Sequence, residues 1–304
     1  MIEPILVTKE LVKECFPKRD INSNKGTFGH AVIIGGSAKY VGAPQFSSSA
    51  ALTTISALGK ASMRVGAGTS QIAVPDFLAT NLYSLTLYSA IYSLKSKNGN
   101  IEFDKTQIDE LMHRATAFAI GMGMDKGDAK NIVQYILDNG SQNMVIDADG
   151  LSSTSSIDFL KNRCILTPHL KEFSRLTNMD IEDIKKDSIS ICQNYAKNRG
   201  CILLLKGTPE TIITDGKIVY KNTTGNVSLA KGGSGDVLSG IICGLLAWGL
   251  DLIKAAYCGS YILGKCAELN TINEYSTLPE DIVSQISKVL DEVVLWSSNM
   301  HCLI

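Results

Sequence analysis

Short apolar runs alternate along this chain with longer segments that carry most of its charges. The runs are found in HAVIIGGSA (30–38), SQIAVP (70–75), AFAIGMGMD (117–125), NMVIDADGL (143–151), CILTPH (164–169) and CILLLKG (201–207). Runs of this length are typical of strands buried on both faces of a parallel sheet. The segments between them, such as DAKNIVQYILDNG, have the spacing of amphipathic helices. The alternation predicts an α/β fold with a central, mostly parallel sheet covered by helices on both faces.

Three segments depart from this alternation. Residues 210–222 read ETIITDGKIVYKN, where apolar and polar residues alternate around Asp-Gly, a strong hairpin signal. Residues 85–105 contain SKNGN and predict a surface hairpin or loop. Beyond the glycine-rich stretch near residue 232, the pattern is helical to the end. Because no linker or repeat interrupts the 304 residues, a single domain over 1–304 is expected.

Polar and small residues follow the strands at the point where each strand ends. They are Gly35-Gly36-Ser37, Gly121 to Asp125, Asp147 and Asp149, Thr167-Pro168-His169, and Lys206-Gly207. Turns favour such residues in any case. In open α/β sheets, however, ligands bind in a crevice outside the carboxyl ends of the strands. The set as a whole therefore predicts one ligand crevice at that edge of the sheet.

The stretch LAKGGSGDVLSG places three glycines and an acid before the most hydrophobic segment of the chain. A helix that starts near Ser234 would point the unpaired backbone N–H groups of Gly233, Ser234, Gly235 and Asp236 outward at its positive end. Such an end binds phosphate, and glycines let phosphate oxygens approach the backbone. A carboxylate beside phosphate is expected if Asp236 accepts a proton from an attacking hydroxyl. The alternative is that Asp236 only complements the helix dipole.

The bulk composition excludes several classes of partner and site. A net charge of -1 gives no overall attraction to nucleic acid or to an anionic membrane. The N-terminus lacks the apolar core of a signal peptide, and the apolar run over 237–250 is too short to span a membrane. A cytoplasmic protein with reduced cysteines is therefore expected. The cysteine and histidine spacings match no metal-binding motif.

Five blocks of the sequence together resemble one known family. KGTFGHAVIIGGSAKYVGAP, VIDADGL, ILTPHLKEF, LLLKG and GGSGDVLSG, the last preceded by GN, occur in that order between about residues 24 and 249. They resemble the ADP- or ATP-dependent NAD(P)H-hydrate dehydratases of the ribokinase-like superfamily. Enzymes of this family repair hydrated NADH and NADPH by phosphorylating the 6-hydroxyl, which leaves as phosphate. The resemblance to stand-alone bacterial-type members implies ADP as co-substrate.

The resemblance also implies roles for individual residues. Asp236 would be the catalytic base and would contact the damaged nicotinamide. The residues expected to bind the hydrate with it are Ala43, Gly123 and His169. The residues expected to bind the nucleotide and its phosphate are Lys206, Gly207, Thr208, Pro209, Glu210, Gly232, Gly233, Ser234 and Gly235. Asp149 would lie near a Mg²⁺ that the nucleotide brings and that keeps several waters; no metal cage made only of protein is predicted.

Several of these residues also have a structural interpretation. Ala43 could be only a small residue before a proline, His169 could cap a helix, and Lys206 could only end a strand. Asp147 is expected to be structural. The chain has GMG where the family often has GPG, and GNVSLAK where many members have GNPGMAT. The resulting Lys231 could add a positive charge to the phosphate site or point to solvent.

The leading hypothesis is an ADP-dependent dehydratase of (6S)-NAD(P)H hydrate that releases AMP and phosphate. The alternative from the same superfamily is a kinase of a thiazole or pyrimidine alcohol that keeps its phosphorylated product. A nucleotide sensor without turnover would gain nothing from Asp236, and no GxGxxG follows the first strand as in a dinucleotide dehydrogenase. The resemblance further implies a homo-oligomer, such as a tetramer.

Overall fold

The computed structural model describes residues 3–38, 56–83, 86–125, 127–207 and 210–294. Its strands are β1 (Ile5–Leu6), β2 (His30–Ile34), β3 (Thr69–Pro75), β4 (Ala90–Leu94), β5 (Ser96–Lys97), β6 (Asn100–Ile101), β7 (Ala117–Ile120), β8 (Asn143–Ile146), β9 (Cys164–Leu166), β10 (Ile202–Leu205), β11 (Thr211–Thr214) and β12 (Val219–Asn222). Its helices are α1 (Lys9–Lys13), α2 (56–64), α3 (Asp76–Leu82), α4 (Lys105–Arg114), α5 (Ala129–Asn139), α6 (Asp149–Thr154), α7 (Leu170–Thr177), α8 (Ile181–Lys186), α9 (Ser188–Arg199), α10 (Ser234–Ala247), α11 (Leu252–Leu269) and α12 (Pro279–Val294).

Ten of the strands form one sheet in the order β1-β12-β11-β10-β9-β8-β7-β2-β3-β4. The seven strands from β10 to β4 are parallel to one another, and β11 is antiparallel to both of its neighbours. All six strands expected from the apolar runs lie in this parallel part. The prediction of a mostly parallel sheet is therefore confirmed.

The sheet buries apolar side chains on both of its faces. In β2, Ala31 and Ile33 join one apolar cluster, whereas Val32 and Ile34 join the other, and all four are at most 1% exposed. Helices α1–α3 and α10–α12 contribute to the first cluster, and α4–α9 contribute to the second. Side chains that alternate between two buried faces explain why these strands are continuously apolar.

Helix α10 packs unusually close to α2. A Cβ added at Gly240 would lie 2.7 Å from the Leu58 carbonyl oxygen, and one at Gly244 would lie 2.5 Å from the Ser62 carbonyl oxygen. The Ser62 hydroxyl donates a 2.7 Å hydrogen bond to the Gly240 carbonyl. The glycines of α10 therefore allow backbone contact between two buried helices.

The hairpin expected over residues 210–222 is confirmed as the antiparallel pair β11–β12, with Gly216 at φ +88° in its turn. Residues 96–101 form a short hairpin, as predicted for part of 85–105. The same segment also contains β4, an edge strand parallel to β3, where the sequence predicted only a hairpin or loop. Only the last residue of β4 is buried, so this strand lacks the continuous apolar run that marks the others.

Seven of the eight cysteines are buried free thiols, and Cys302 lies outside the described residues. In the part of the chain that the structure covers, none of the helices combines the length and apolar character that crossing a bilayer requires.

Candidate active site

The residues that follow the central strands meet at one edge of the sheet. β10, β9, β8, β7 and β2 are consecutive neighbours and run in the same direction. Their carboxyl ends therefore bring together Lys206, Thr167, Asp147, Gly121 and Gly35, in that order across the sheet. The arrangement agrees with the predicted crevice at this edge.

The glycine-rich stretch forms the start of α10, as predicted. Gly233 caps the helix at φ +95°, a backbone conformation that favours glycine, and Ser234 is the first helical residue. The Ser234 N–H donates to the Lys231 carbonyl at 3.3 Å, so the prediction that this N–H is unpaired is wrong. Gly235 and Asp236 lie in the first turn, where the helix provides no acceptors for N–H groups. This end of α10 is positively polarised and open to an anion.

Asp147, Lys206 and Ser239 form a polar cluster beneath this helix end. Lys206 Nζ lies 2.9 Å from Asp147 Oδ1, and the Ser239 hydroxyl donates a 2.9 Å hydrogen bond to Asp147 Oδ2. The Asp147 side chain is 3% exposed and that of Lys206 is 24% exposed. A Cβ added at Gly235 would lie 3.2 Å from Lys206 Nζ. Asp147 thus holds the ammonium of Lys206 next to the first turn of α10. This is a structural role, as expected for Asp147.

Asp236 is the group in this site that is poised to exchange a proton near neutral pH. Burial, reinforced by the negative charge of Asp147, raises the pKa of Asp236 to about 7, against the opposing effect of Lys206. Asp149 adds a smaller contribution that also raises this pKa. A carboxyl group with a pKa near the working pH is suited to general acid–base chemistry.

Asp149 starts α6 beside the same edge of the sheet, and its Oδ2 accepts a 2.8 Å hydrogen bond from the Asp125 N–H. Across the described ranges, no group of three or more His, Cys, Asp or Glu side chains is arranged to hold a metal ion. One carboxylate together with phosphate oxygens and water suits Mg²⁺, which is seldom held by protein ligands alone. The residues present therefore fit a Mg²⁺ that is bound through a nucleotide.

A cavity of about 730 Å³ opens beside the start of α10. Of the residues expected to bind nucleotide, Lys206, Gly207, Ser234 and Gly235 line it, whereas Gly232, Gly233 and Glu210 do not. The Glu210 carboxylate instead pairs with Lys221 Nζ at 2.6 Å. Thr208 and Pro209 lie outside the described residues. The cavity has the size of a small-molecule site.

The polar wall of this cavity was missed by the sequence analysis. The buried Asn222 donates from Nδ2 to the Ser260 hydroxyl at 2.9 Å, and its Oδ1 accepts a 3.0 Å hydrogen bond from the Thr224 hydroxyl. Asn226 Oδ1 accepts a 3.0 Å hydrogen bond from the Ser228 N–H. The polar stretch NTTGN, which begins at the last residue of β12, is a signal that could have indicated this wall.

The predicted hydrate-binding residues have different surroundings. Ala43 lies outside the described residues. Gly123 is at φ +67° in the turn after β7, and the Met122 carbonyl in that turn accepts a 2.9 Å hydrogen bond from the Gly36 N–H after β2. Replacing proline by methionine in this turn therefore leaves it tied to the neighbouring strand.

His169 is the N-cap of α7, the structural alternative considered for it. Its Nδ1 accepts hydrogen bonds from the N–H groups of Lys171 and Glu172 at 3.1 and 3.2 Å. The Glu172 carboxylate in return accepts from the His169 N–H at 2.8 Å, which completes a capping box. The ring is half exposed, and its Nε2 lies 3.5 Å from Glu172 Oε2.

Lys231 directly precedes Gly232 and Gly233 in the loop before α10. Its Nζ donates a 2.8 Å hydrogen bond to the Tyr275 carbonyl, in the loop between α11 and α12. The lysine thus links the glycine-rich loop to the C-terminal helices.

Two other cavities, of about 450 and 510 Å³, lie along α4 and the edge strand β4. None of the residues expected to bind substrate or nucleotide lines either of them.

Comparison with known proteins identifies similar sequences. A family model described as NAD(P)H-hydrate dehydratase matches residues 31–288. The chain is 31% identical over 265 residues to the ADP-dependent (S)-NAD(P)H-hydrate dehydratase of Bacillus subtilis, covering 87% of this chain and 89% of that protein. It is 33% identical over 300 residues to the bifunctional NAD(P)H-hydrate repair enzyme Nnr of Dictyoglomus turgidum, covering 95% of this chain and 56% of that protein. The chain spans about half the length of such bifunctional relatives.

The fold is similar to that of a solved Bacillus subtilis structure, an ADP/ATP-dependent NAD(P)H-hydrate dehydratase co-crystallised with ATP/Mg²⁺. The TM-score is 0.78 and the sequence identity 26%, and the match covers 96% of this chain and all of that one. The likeness confirms the predicted ribokinase-like fold.

Proposed function

This chain belongs to the NAD(P)H-hydrate dehydratase family, and from that premise we propose that it converts (6S)-NAD(P)H hydrate to NAD(P)H with ADP as phosphoryl donor. The products are AMP and phosphate. One observation carries the proposal: Asp236, with a pKa raised to about 7, lies in the first turn of α10 beside a nucleotide-sized cavity.

In the proposed reaction, Asp236 accepts the proton of the 6-hydroxyl as its oxygen attacks the β-phosphorus of ADP. The bond from that phosphorus to AMP breaks, and its electron pair stays on AMP. The ring-nitrogen lone pair then expels phosphate from C6, and loss of the C5 proton restores the dihydropyridine. After phosphoryl transfer the chemistry needs no further protein nucleophile, so a kinase-like site serves a lyase.

The charge on the transferring phosphoryl group is matched by fixed donors. The first-turn N–H groups of Gly235 and Asp236 and the ammonium of Lys206 are held in place before the substrate arrives, so they need not reorganise. Mg²⁺ bound with the nucleotide would add neutralising charge, held through Asp149 and water. We assign Gly232, Gly233 and Ser234 to the backbone that shapes this anion site.

We propose that the hydrate lies at the neighbouring strand ends, against Gly123 and the exposed part of the His169 ring, and that it also contacts Ala43. The adenine nucleotide takes the 730 Å³ cavity, whose lining includes Lys206 and Gly207. The positive φ of Gly123 supports this placement, since glycine allows a ligand to approach the backbone closely.

We also propose, on the family resemblance alone, that the protein is a cytoplasmic homotetramer. Light scattering coupled to size-exclusion chromatography measures the subunit number directly.

The deciding experiment incubates the protein with chemically hydrated NADH and either ADP or ATP. Recovery of the near-ultraviolet absorbance of reduced nicotinamide, with one AMP formed per NADH when ADP is supplied, is the expected result. Faster turnover with ATP would overturn the assignment of ADP as co-substrate. Phosphorylation of a thiazole or pyrimidine alcohol without any recovery of NADH would support the kinase alternative.

The rate should depend on pH through Asp236. Because only the ionised carboxylate can accept the proton, kcat/KM is expected to rise with pH and to level off above an apparent pKa of about 7. Asp147→Asn removes the like charge that helps to raise this pKa, so its acid limb should move to lower pH. Initial rates between pH 5 and pH 9 test both expectations. A rate that stays constant from pH 9 down to pH 5 in the unaltered protein would contradict a pKa of about 7 for the catalytic base.

Gly235→Ala is expected to weaken ADP binding by roughly tenfold, measured by calorimetry. A methyl group 3.2 Å from Lys206 Nζ takes the room that a phosphate oxygen needs. Alanine favours helix more than glycine does, so thermal stability should be unchanged or higher, which separates a binding defect from misfolding. Unchanged ADP affinity would show that phosphate does not approach this turn.

A further inference from the structure

The buried carboxylate of Asp147 is bound by three donors. Its Oδ1 accepts a 2.8 Å hydrogen bond from the Ala148 N–H and lies 2.9 Å from Lys206 Nζ. Its Oδ2 accepts the 2.9 Å hydrogen bond from the Ser239 hydroxyl. Ser239 is fully buried and lies in α10, one helical turn beyond Gly235. Lys206 and Ser239 therefore bind different oxygens of the same carboxylate.

The oxygen that Ser239 binds lies close to the first turn of α10. A Cβ added at Gly235 would be 3.6 Å from Asp147 Oδ2 and 3.2 Å from Lys206 Nζ. Phosphate bound at this turn, as proposed above, would meet a carboxylate oxygen as well as an ammonium. Two anions repel each other more strongly in a buried site than in water, because the effective dielectric constant is lower. The hydroxyl proton of Ser239 offsets part of the negative charge on this oxygen.

The ammonium of Lys206 keeps most of its donors available. Across the described residues, Lys206 Nζ makes one hydrogen bond, to Asp147 Oδ1, although an ammonium has three N–H groups. Lys206 also lines the proposed nucleotide cavity. Because Ser239 satisfies Oδ2, the ammonium has no need to bridge both carboxylate oxygens, and its remaining N–H groups can bind phosphate. Both effects of the Ser239 hydroxyl therefore favour an anion at this turn.

We propose that Ser239 is a positioning residue for the phosphoryl donor, because its hydroxyl screens Asp147 from phosphate and leaves Lys206 on a single carboxylate oxygen. The inference rests on the proposed function, which places ADP at this turn. The structural alternative is that the hydroxyl only bonds to the Gly235 carbonyl oxygen, as serine often does within a helix. That oxygen is 3.3 Å away, farther than the Asp147 carboxylate oxygen at 2.9 Å. The carboxylate is therefore the main acceptor.

Ser239→Ala is expected to raise the Kd and the KM for ADP by roughly tenfold, the loss expected for one hydrogen bond to a charged group. The kcat at saturating ADP should change by less than about twofold, because Asp236 is retained and the substitution does not touch the reacting atoms. Calorimetry measures the Kd, and initial rates with hydrated NADH measure the KM and the kcat. Ser239→Thr keeps the hydroxyl and should restore most of the ADP affinity.

A double-mutant cycle with Asp147→Asn tests whether Ser239 acts through Asp147. Once the charge at position 147 is removed, the hydroxyl has no anion to screen. In the Asp147→Asn background, Ser239→Ala should therefore change the Kd for ADP by less than about twofold. An equal loss of affinity in both backgrounds would overturn the proposal, and so would an unchanged Kd when Ser239→Ala is made alone.

Thr214→Val is the matched control. Thr214 has a buried hydroxyl that donates a 2.7 Å hydrogen bond to the Ile218 carbonyl, but it lies at the hairpin end of β11 and does not line the cavity. Both Thr214→Val and Ser239→Ala should lower the urea midpoint, whereas only Ser239→Ala should weaken ADP binding.

The same measurements separate this inference from the proposed function. ADP binding by the unaltered protein without any recovery of NADH would contradict the dehydratase assignment, and the ratio of the two Kd values would still decide the role of Ser239. Absence of ADP binding by the unaltered protein would overturn both.

Discussion

Asp236→Asn is expected to lower kcat for the proposed dehydration by roughly 10²- to 10⁴-fold, the usual contribution of a general base. Asparagine keeps the shape of the side chain but cannot accept the hydroxyl proton. ADP affinity should be retained or increased, because the variant removes a negative charge beside the phosphate. Turnover by the coupled assay and ADP binding by calorimetry together distinguish a lost base from a lost binding site.

The same substitution should stabilise the folded protein. Because the pKa of Asp236 is raised in the folded state from 3.8 to about 7, its contribution to stability is most favourable below pH 3.8 and is lost as pH rises toward 7. Removing the carboxylate is therefore expected to increase the free energy of unfolding at pH 8 by about 2 kcal/mol, with no gain in acid. Urea titrations at the two pH values measure this difference.

Asp158→Asn is the control, because Asp158 is exposed on the surface and stands apart from the site. It should change neither kcat nor stability. Full turnover by Asp236→Asn would exclude proton transfer to this carboxylate.

Lys206→Met is expected to destabilise the protein by about 3 kcal/mol and to abolish measurable ADP binding. Its ammonium is the cation paired with Asp147, whose side chain is only 3% exposed. Removing one partner of a buried pair leaves the other charge uncompensated, which costs far more than the pair itself contributes. Urea unfolding measures the loss of stability, and calorimetry measures the loss of ADP binding.

Lys161→Met provides the comparison. Lys161 pairs with Asp138 at 2.7 Å, but both side chains are nearly half exposed, so a loss of at most about 1 kcal/mol is expected. Adding Asp147→Asn to Lys206→Met should recover most of the stability, because it removes the unpaired charge. If Lys206→Met were as stable as Lys161→Met, the pair of Lys206 with Asp147 could not be what holds the carboxyl ends of β8 and β10 in place.

The parts of the fold that sequence could predict are those with a local signal. Apolar runs marked the central strands, and Asp-Gly marked the hairpin over 210–222. Strand β4 was missed because its side chains are mostly accessible, and β1 because it has two residues. Such edge strands are defined by pairing with a neighbour rather than by their own composition.

The candidate site also has one part with a local sequence signal and one part without it. Strand-end residues and the glycine-rich helix start were predicted, since parallel strands bring their carboxyl ends together whatever the remaining topology. The bonds that join Asp147 to Lys206 and Ser239 connect residues 59 and 92 positions apart, so no spacing rule could reveal them. Ser260 was missed for the same reason, because it reaches the cavity from α11. The ligand roles of Ala43, Gly123 and His169 stay predictions.

The contact between α10 and α2 limits the substitutions that this protein can tolerate. The end of α10 at which we propose that phosphate binds is continuous with Gly240 and Gly244, whose backbones lie against Leu58 and Ser62. A side chain at either glycine would push α10 along the sheet or away from it. The N–H donors in the first turn of α10, more than one helical turn away, would then be misplaced. Substitutions at this contact between α10 and α2 are thus expected to appear first as lost turnover.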